Sequence, residues 1–301
     1  MKIFLAGASG AIGQPLIAEL IRQGHRVTGM TQSADGAKRL VALGAAAAVA
    51  DAFDAAAVEE ALRESGAEVV IDELTSLPKS PADLGTALPR DGRVRLEGGG
   101  NLTRAAERCG VRRYIQQSSG FYLKAVSGLA DELAPLAVDS SPGVAMSAKM
   151  YTQLEARVLH STMEGVALRY GFFYGPNTWY YPDGGVAEMV RREEYPIVGE
   201  GKGVWSFVHI EDAARATVAA LTAEPGVYNV VDDDPSAISV WLPAFAKAMG
   251  APPPRRVTEE AARQSAGEDA VYCGMRLSGA SNAKAKRQLN FQPRRLEWLV
   301  G

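Results

Sequence analysis

Cysteine is nearly absent from this chain of 301 residues, which contains only Cys109 and Cys273. The two thiols lie far apart in the sequence and form no C-x-x-C motif, so neither a disulfide framework nor a zinc site is expected. Histidine is also scarce, and the three imidazoles are isolated from one another, without the spacing of a metal-binding cluster. We therefore expect no bound metal ion, and reduced thiols in a cytoplasmic protein.

Long apolar runs and an excess of one charge are missing as well. The apolar run at the N-terminus has only a few residues, and no segment approaches the ~18 apolar residues of a membrane span. The formal net charge is −3, which gives no electrostatic reason to bind nucleic acid or an anionic membrane. We expect a small-molecule substrate, no nucleic acid and no membrane as partner, and a monomer or a homodimer.

Glycine, by contrast, is concentrated near the N-terminus. Residues 2–6 predict a short buried strand, and the sequence Gly-Ala-Ser-Gly-Ala-Ile-Gly then leads into an amphipathic helix. Gly7 permits a sharp turn, Gly10 lets a phosphate approach the backbone, and Gly13 allows the helix to pack closely on the sheet. The free N–H groups of the first helical turn then face a pyrophosphate. We predict a dinucleotide-binding loop whose cofactor contacts are Gly7, Ser9, Gly10, Ala11, Ile12 and Gly13.

The end of the second predicted strand, residues 26–30, is where such folds select their cofactor. An acidic residue there would accept a hydrogen bond from a ribose 2′-OH and repel a 2′-phosphate. Neutral hydrogen-bond donors follow this strand instead, namely Thr31, Gln32 and Ser33. Lys38 and Arg39 come next, either near a 2′-phosphate or on a solvated helix face. The pattern favours NADP as the cofactor and leaves NAD possible.

Strands and helices continue to alternate along the first half of the chain. Further strands are predicted at about residues 45–50, 68–72, 114–118 and 166–170, whereas residues 74–93 contain three prolines and predict a loop. The alternation indicates right-handed crossovers and an α/β fold with a doubly wound parallel sheet.

Ligands of such sheets bind at the carboxyl ends of the strands, which adds a second group of predicted cofactor contacts. Asp51 in this group either accepts the adenine amino group or is a loop residue. The group consists of Asp51, Ala52, Leu74, Ser118, Tyr170 and Phe173.

Several spaced motifs occur together in this sequence. They are residues 7–13, the Ser118-Ser119 pair, Leu-Arg-Tyr-Gly-Phe-Phe-Tyr-Gly-Pro at 168–176, Phe-Val-His-Ile-Glu-Asp at 207–212, and residues 281–289. In this order they resemble the extended short-chain dehydrogenase/reductases, the NAD-dependent epimerase/dehydratase family. The resemblance covers nearly the whole chain.

The resemblance implies a Rossmann domain followed by a smaller C-terminal substrate-binding domain. Residues 1–170 would form the dinucleotide-binding part, and segments within 204–231 would return to it. Residues 171–301 would mainly bind the substrate.

The resemblance also implies a catalytic set made of a serine, a tyrosine and a lysine four residues after the tyrosine. The phenol acts as general acid or base, and the lysine lowers the phenol's pKa and binds the nicotinamide ribose. Ser119 matches the serine and Lys149 the lysine. Ala145 stands at the tyrosine position, so the chain resembles an atypical member that lacks the catalytic tyrosine.

Three functions remain open from the sequence. The first is an NADP-dependent oxidoreductase that reduces a small, partly hydrophobic carbonyl, imine or enone, with an ordered water or another phenol as the proton donor. The second is an epimerase or dehydratase of an activated, sugar-like substrate, and the third is a nonenzymatic NADP-binding sensor. The phenols considered as replacements are Tyr122, Tyr174, Tyr180 and Tyr181.

Overall fold

The computed structural model describes residues 1–300. Its strands, in chain order, are β1 (Lys2–Ala6), β2 (Arg26–Thr31), β3 (Ala46–Val49), β4 (Val69–Asp72), β5 (Arg113–Ser119), β6 (Glu164–Tyr170), β7 (Phe172–Tyr174), β8 (Ile197–Val198), β9 (Val204–Trp205), β10 (Phe207–His209), β11 (Gly226–Val230), β12 (Ser236–Ala237) and β13 (Arg256–Val257). Its α-helices are α1 (Gly13–Arg22), α2 (Ala34–Ala42), α3 (Ala55–Ser65), α4 (Leu84–Arg93), α5 (Gly99–Arg108), α6 (Pro142–Leu159), α7 (Gly185–Arg191), α8 (Ile210–Ala219), α9 (Ile238–Ala248), α10 (Glu259–Met275), α11 (Ala283–Gln288) and α12 (Glu297–Val300).

The centre of the molecule is a parallel sheet, seven-stranded within residues 1–300, with the order β11-β6-β5-β4-β1-β2-β3. All six neighbouring pairs run parallel. The order reverses at β1, which lies between β4 and β2, so a crevice opens at the carboxyl ends of these strands. The predicted α/β fold with a doubly wound parallel sheet is therefore confirmed.

Apolar side chains cover both faces of this sheet. On one face, Leu16 and Ile17 of α1 share a buried cluster with Ala213 of α8. On the other face, Leu62 of α3 and Leu102 of α5 form a second cluster. Burying each such side chain stabilises the fold by about 1.5–3 kcal/mol. The two clusters hold the strand ends, and therefore the crevice, in a fixed position.

The predicted loop at residues 74–93 is wrong in its C-terminal half, because helix α4 already begins at Leu84. A π-helical turn over 94–98 joins α4 to α5, so the chain is helical from residue 84 to 108. Proline and glycine in this stretch obscured the helix. Pro89 lies inside α4, and a Cβ atom at Gly98 would lie 2.9 Å from the Cβ of Ala52, so that glycine serves close packing.

A third buried cluster is rich in aromatic rings and belongs to the later part of the chain. Strands β7 and β10 pair there beside α9, and Trp241 and Phe207 are buried in the cluster. Its rings include Phe172, which lies just beyond β6 of the main sheet. This cluster therefore adjoins the carboxyl edge of the sheet. Among residues 1–300, no helix combines the length and apolar character needed to cross a membrane.

Candidate cofactor and substrate site

The glycine-rich loop between β1 and α1 is shaped by two close backbone approaches. Gly7 has φ +76°, and a Cβ atom there would lie 2.2 Å from the Glu73 carbonyl oxygen at the end of β4. A Cβ atom at Gly13 would lie 2.1 Å from the Ala8 carbonyl oxygen. The loop closes on itself through hydrogen bonds from the Gly10 N–H to the Gly7 carbonyl and from the Gly13 N–H to the Gly10 carbonyl. The turn thus brings the helix start to the sheet edge.

The start of α1 is open for an anionic group. Its N-cap residue, Ile12, provides no side-chain cap, and the first turn carries no acidic residue. Ser9, Gly10 and Ala11 are exposed, and a Cβ atom at Gly10 would meet only the Gly7 carbonyl oxygen, at 3.2 Å. Free N–H groups at a helix N-terminus bind phosphate. The loop therefore fits the pyrophosphate of a dinucleotide.

The residues that follow β2 are divided between helix capping and the sheet edge. The Ser33 hydroxyl accepts a hydrogen bond from the Gly36 N–H at 3.1 Å and caps α2, and Thr31 is buried. Gln32 donates to the Asp51 carboxylate at 3.3 Å. The structure thus brings Asp51 beside the predicted 2′-position. This acidic neighbour is compatible with a ribose hydroxyl, so the choice of NADP over NAD stays a prediction.

Further predicted cofactor contacts lie at or just after the ends of strands. The Ala52 carbonyl accepts a hydrogen bond from Asn101 at 2.9 Å, and the Leu74 N–H donates to the Asp72 carboxylate at 3.1 Å. Tyr170 is buried, whereas the half-buried Phe173 ring lies 5.2 Å from the Tyr170 ring.

A buried carboxyl group, which the sequence did not single out, follows β4. The Glu73 side chain accepts a hydrogen bond from the Tyr170 hydroxyl at 3.0 Å, and its second oxygen, Oε2, has no partner among residues 1–300. Burial raises the pKa of Glu73 to about 8, opposed by the Tyr170 hydrogen bond. The carboxyl is therefore neutral at pH 7, behind the glycine-rich loop.

One face of α6 meets the end of β5 and carries three polar residues one turn apart: Ser147, Tyr151 and Glu155. Glu155 accepts a hydrogen bond from Ser118 at 2.6 Å and forms a buried ion pair with Arg169 at 2.7 Å. The Ser118 hydroxyl is thus already engaged. The spacing of these three residues by four was the signal that could have identified this face.

Lys149 lies on a different side of α6. Its side chain is exposed, whereas Ala145 is buried on the helix. Ser119, at the end of β5, is buried and accepts a hydrogen bond from the Phe121 N–H at 3.4 Å. Among residues 1–300 this is the hydrogen bond that the Ser119 hydroxyl makes, so the catalytic role of Ser119 and the cofactor contact of Lys149 stay predictions.

A buried arginine on the π-helical turn lies beside this face. The Arg95 guanidinium donates to Asp91 at 2.7 Å and to Gln117 at 3.1 Å, and it lies 5.4 Å from the centroid of the Tyr151 ring. Burial disfavours the cation, but Tyr151 and Asp91 outweigh it, so the pKa of Arg95 is raised. Burial raises the pKa of Tyr151, and Arg95 opposes this shift.

The two phenols predicted as replacement acids occupy different surroundings. Tyr122 is half-buried, its ring lies 6.2 Å from that of Tyr151, and burial raises the pKa of its hydroxyl, a shift that the nearby Ser147 hydroxyl opposes. Tyr174 is fully buried, and its hydroxyl donates to the Arg295 carbonyl at 3.3 Å. Only Tyr122 therefore reaches the α6 face.

The fold and the loop define a class of dinucleotide-binding proteins, and comparison with known sequences identifies it. The chain belongs to the NAD dependent epimerase/dehydratase family, whose sequence profile matches residues 3–230. A 3-diazoavenalumate denitrifying reductase from a Streptomyces species is 37% identical over 100% of this chain and 99% of its own. A 4-hydroxy-2-methyl-3-oxo-4-farnesyl-3,4-dihydroquinoline-1-oxide ketoreductase from Stigmatella aurantiaca is 23% identical, over 83% of this chain and 74% of its own.

Solved structures give the same fold. A UDP-glucose 4-epimerase from Stenotrophomonas maltophila, with NAD bound, superposes with a TM-score of 0.75 at 20% identity, covering 99% of this chain and 95% of that one. The Thermus thermophilus UDP-glucose 4-epimerase, also with NAD, gives a TM-score of 0.70 at 24% identity over 98% and 94% of the two chains. At this identity the likeness establishes the architecture.

Proposed function

We propose that this protein is an NAD(P)-dependent reductase that delivers a hydride to a small, partly hydrophobic acceptor which is already strongly electrophilic. The observation that carries the proposal is the polar face of α6. Hydroxyl groups of Ser147 and Tyr151 lie on that face, Ala145 presents a methyl group, and Lys149 is exposed. No tyrosine and lysine pair is arranged there to protonate a ground-state alcohol or ketone oxygen.

The relative with the highest identity quoted above supports this choice of acceptor. Its name describes the reductive removal of nitrogen from a diazo compound. For a diazonium acceptor, the hydride forms a C–H bond at the carbon that carried nitrogen, the C–N bond breaks, and N₂ leaves with its electron pair. Charge and atoms balance without a proton, so a general acid is not required.

The cofactor would be held by the residues that the loop and the strand ends provide. The N–H groups around Gly10 would bind the pyrophosphate, and Asp51 and Gln32 would lie near the adenosine half. When bound, the reduced nicotinamide supplies the hydride. We retain NADPH as the favoured donor because Thr31, Gln32 and Ser33 are neutral, with NADH as the alternative.

The chain's own side chains orient the acceptor and control charge. The Asp91 carboxylate balances the charge of the Arg95 guanidinium. The surroundings of Tyr151 therefore carry no net positive charge from this pair that would repel a cationic acceptor. Aromatic faces attract cations. For a carbonyl, imine or enone, which needs a proton, the neighbouring hydroxyls of Tyr122 and Ser147 would be the donors.

The direct test is a turnover screen with purified protein and NADPH. The first probe is 4-carboxybenzenediazonium, followed by ketones, imines and enones of similar size. We expect protein-dependent loss of the nicotinamide absorbance, above the rate without protein, together with formation of benzoate from the diazonium probe. The same screen with NADH determines the cofactor preference.

Two outcomes would contradict the proposal. Conversion of a UDP-sugar with no net change in cofactor oxidation state would indicate an epimerase or dehydratase. Tight NADPH binding with no turnover of any acceptor would indicate a sensor. A G10V variant, which fills the space above the loop, is the matched control and should lose turnover with every acceptor.

A further inference from the structure

A column of parallel aromatic rings runs from the C-terminal core to the carboxyl edge of the sheet. The rings of Phe121 and Phe172 stack at 4.2 Å and 21°, and those of Phe172 and Trp205 stack at 4.2 Å and 21°. Phe207 packs against this stack, with its ring 5.8 Å and 47° from that of Phe172 and 6.3 Å and 26° from that of Trp205. Offset stacking in this distance range is a favourable aromatic geometry. The stacking contacts therefore hold these rings in fixed orientations.

The two ends of the column differ in their exposure. Trp205 and Phe207 are buried, and the Trp205 indole N–H donates to the Cys273 carbonyl at 3.0 Å. Phe121 and Phe172 are half-buried. Burying a phenylalanine completely would contribute about 1.5–3 kcal/mol. Two adjoining rings are thus left with apolar surface that a ligand could cover.

The half-exposed end of the column lies beside the proposed reaction site. Phe121 comes two residues after Ser119 and donates its backbone N–H to the Ser119 hydroxyl. Its ring contacts the Tyr122 ring edge-on at 4.6 Å, and Tyr122 in turn lies beside Ser147 of α6. An apolar aromatic surface therefore borders the hydroxyl groups that face the end of β5.

We propose that Phe121, supported by Phe172, forms a subsite that stacks on a flat aromatic ring of the acceptor and places the reacting carbon beside Ser119. This inference rests on the proposed reductase function and names its substrate class.

The ring preference can be tested with two ligands that differ in flatness. Benzoate and cyclohexanecarboxylate carry the same carboxylate on a ring of six carbons, aromatic in one and saturated in the other. Binding to the full-length protein saturated with NADP⁺ is measured by ligand-observed NMR titration. We expect benzoate to bind about fivefold more tightly than cyclohexanecarboxylate, the order of an aromatic pair contribution.

Substitutions then assign the preference to the column. F121L keeps an apolar side chain without the ring and should abolish the difference between the two acids, whereas F121W should retain it. F53L is the matched control, because Phe53 is also half-buried but lies outside the column. The Arg93 guanidinium carbon lies 4.8 Å from the centroid of its ring. NADPH affinity should be unchanged in F121L, and a cooperative thermal melting curve checks that the variant is folded.

The outcomes separate this inference from the reductase proposal. The inference is overturned by equal binding of the two acids, by no binding of benzoate, or by identical effects of F121L and F53L. Because the titration needs no turnover, a confirmed ring preference together with a failed turnover screen would reject only the reductase function. Turnover of the diazonium probe that is indifferent to F121L would reject only the aromatic subsite.

Discussion

The two helices that border the candidate site begin in opposite ways. Helix α1 starts at Gly13 with no side-chain cap and no acidic residue in its first turn. Helix α6 starts at Pro142, and Asp269 of the distant helix α10 accepts hydrogen bonds from the N–H groups of Gly143 and Val144 at 3.0 and 3.2 Å. The first turn of α1 has no side-chain acceptor and can receive an anionic ligand, whereas α6 has two of its N–H groups accepted by a side chain of the protein.

The candidate site therefore has two halves. The half at α1 is built from backbone groups, and the half at α6 is built from side chains. The backbone half depends on the glycine spacing around Gly7 and Gly13. The side-chain half depends on contacts between residues distant in sequence, such as Glu155 with Ser118 and Arg169. Breaking each half should therefore give a different result, with loss of cofactor binding in the first case and loss of stability in the second.

At a fixed pH, the largest effect is expected from E155A in the side-chain half. The substitution leaves the Arg169 guanidinium buried without its carboxylate partner, which costs about 3–5 kcal/mol of the free energy of unfolding. Urea unfolding measures this loss. E60A, which removes an exposed carboxylate of α3, is the control and should change stability by less than about 0.5 kcal/mol. A similar small loss for both variants would mean that the Glu155 network is not a structural element.

G10V should break the backbone half without unfolding the protein. The new side chain would fill the space where the pyrophosphate approaches, and we expect NADPH affinity to fall by roughly a hundredfold, about 2.7 kcal/mol. Fluorescence titration measures the affinity, and thermal melting checks the fold. G85A is the matched control, because a Cβ atom there meets nothing within 4 Å. Unchanged affinity in G10V would contradict the phosphate-binding role of the loop.

E73Q tests the protonation of the buried Glu73 carboxyl, which lies behind the glycine-rich loop. The pKa of Glu73 is raised from 4.5 to about 8, so the native state holds a proton that the unfolded state releases between these pH values. Wild-type stability should therefore decline relative to E73Q by up to about 1.4 kcal/mol per pH unit as pH rises through this window, with no further change above it. Urea unfolding at several pH values measures the difference. Parallel pH profiles would show that Glu73 is ionised in the native protein.

The smallest effect is expected at the start of α6. D269A removes the side chain that accepts the two N–H groups, and loss of such a cap costs about 1 kcal/mol. D269N retains an acceptor oxygen and should recover a large part of this stability in urea unfolding. If both variants were as stable as the wild type, the Asp269 contact would not stabilise α6. The difference between the starts of α1 and α6 would then have no effect on stability.

The backbone half could be predicted from sequence because its signals are local. The apolar run of β1, the glycine spacing and the periodicity of α1 all lie within adjacent residues, and the parallel sheet follows from alternating strands and helices. The helical start at Leu84 was missed because Pro89 and the glycines resemble loop residues. Their helical state is stabilised by tertiary contacts, such as the hydrogen bond from Arg95 to Gln117 of β5 at 3.1 Å.

The side-chain half could not be predicted in the same way. Motif matching selected Lys149 by its spacing from Ala145, but the exposure of Lys149 depends on how α6 rotates against β5. The four-residue spacing of Ser147, Tyr151 and Glu155 puts them on one face of the helix, but only the contacts of Glu155 with Ser118 and Arg169 show that this face meets the sheet. Glu73 likewise drew no attention, because its surroundings come from distant parts of the chain: Tyr170 at the end of β6 donates to it and also hydrogen-bonds Thr217 of α8.

The central claim is that a nicotinamide hydride ends in the product. NADPH labelled with deuterium at C4, in each of its two stereoisomers, would be incubated with the protein and the 4-carboxybenzenediazonium probe, and the benzoate analysed by mass spectrometry and NMR. The account predicts one deuterium, at the ring carbon that carried nitrogen, from one stereoisomer only. Benzoate without deuterium, or with equal transfer from both stereoisomers, would contradict enzymatic hydride transfer by this protein.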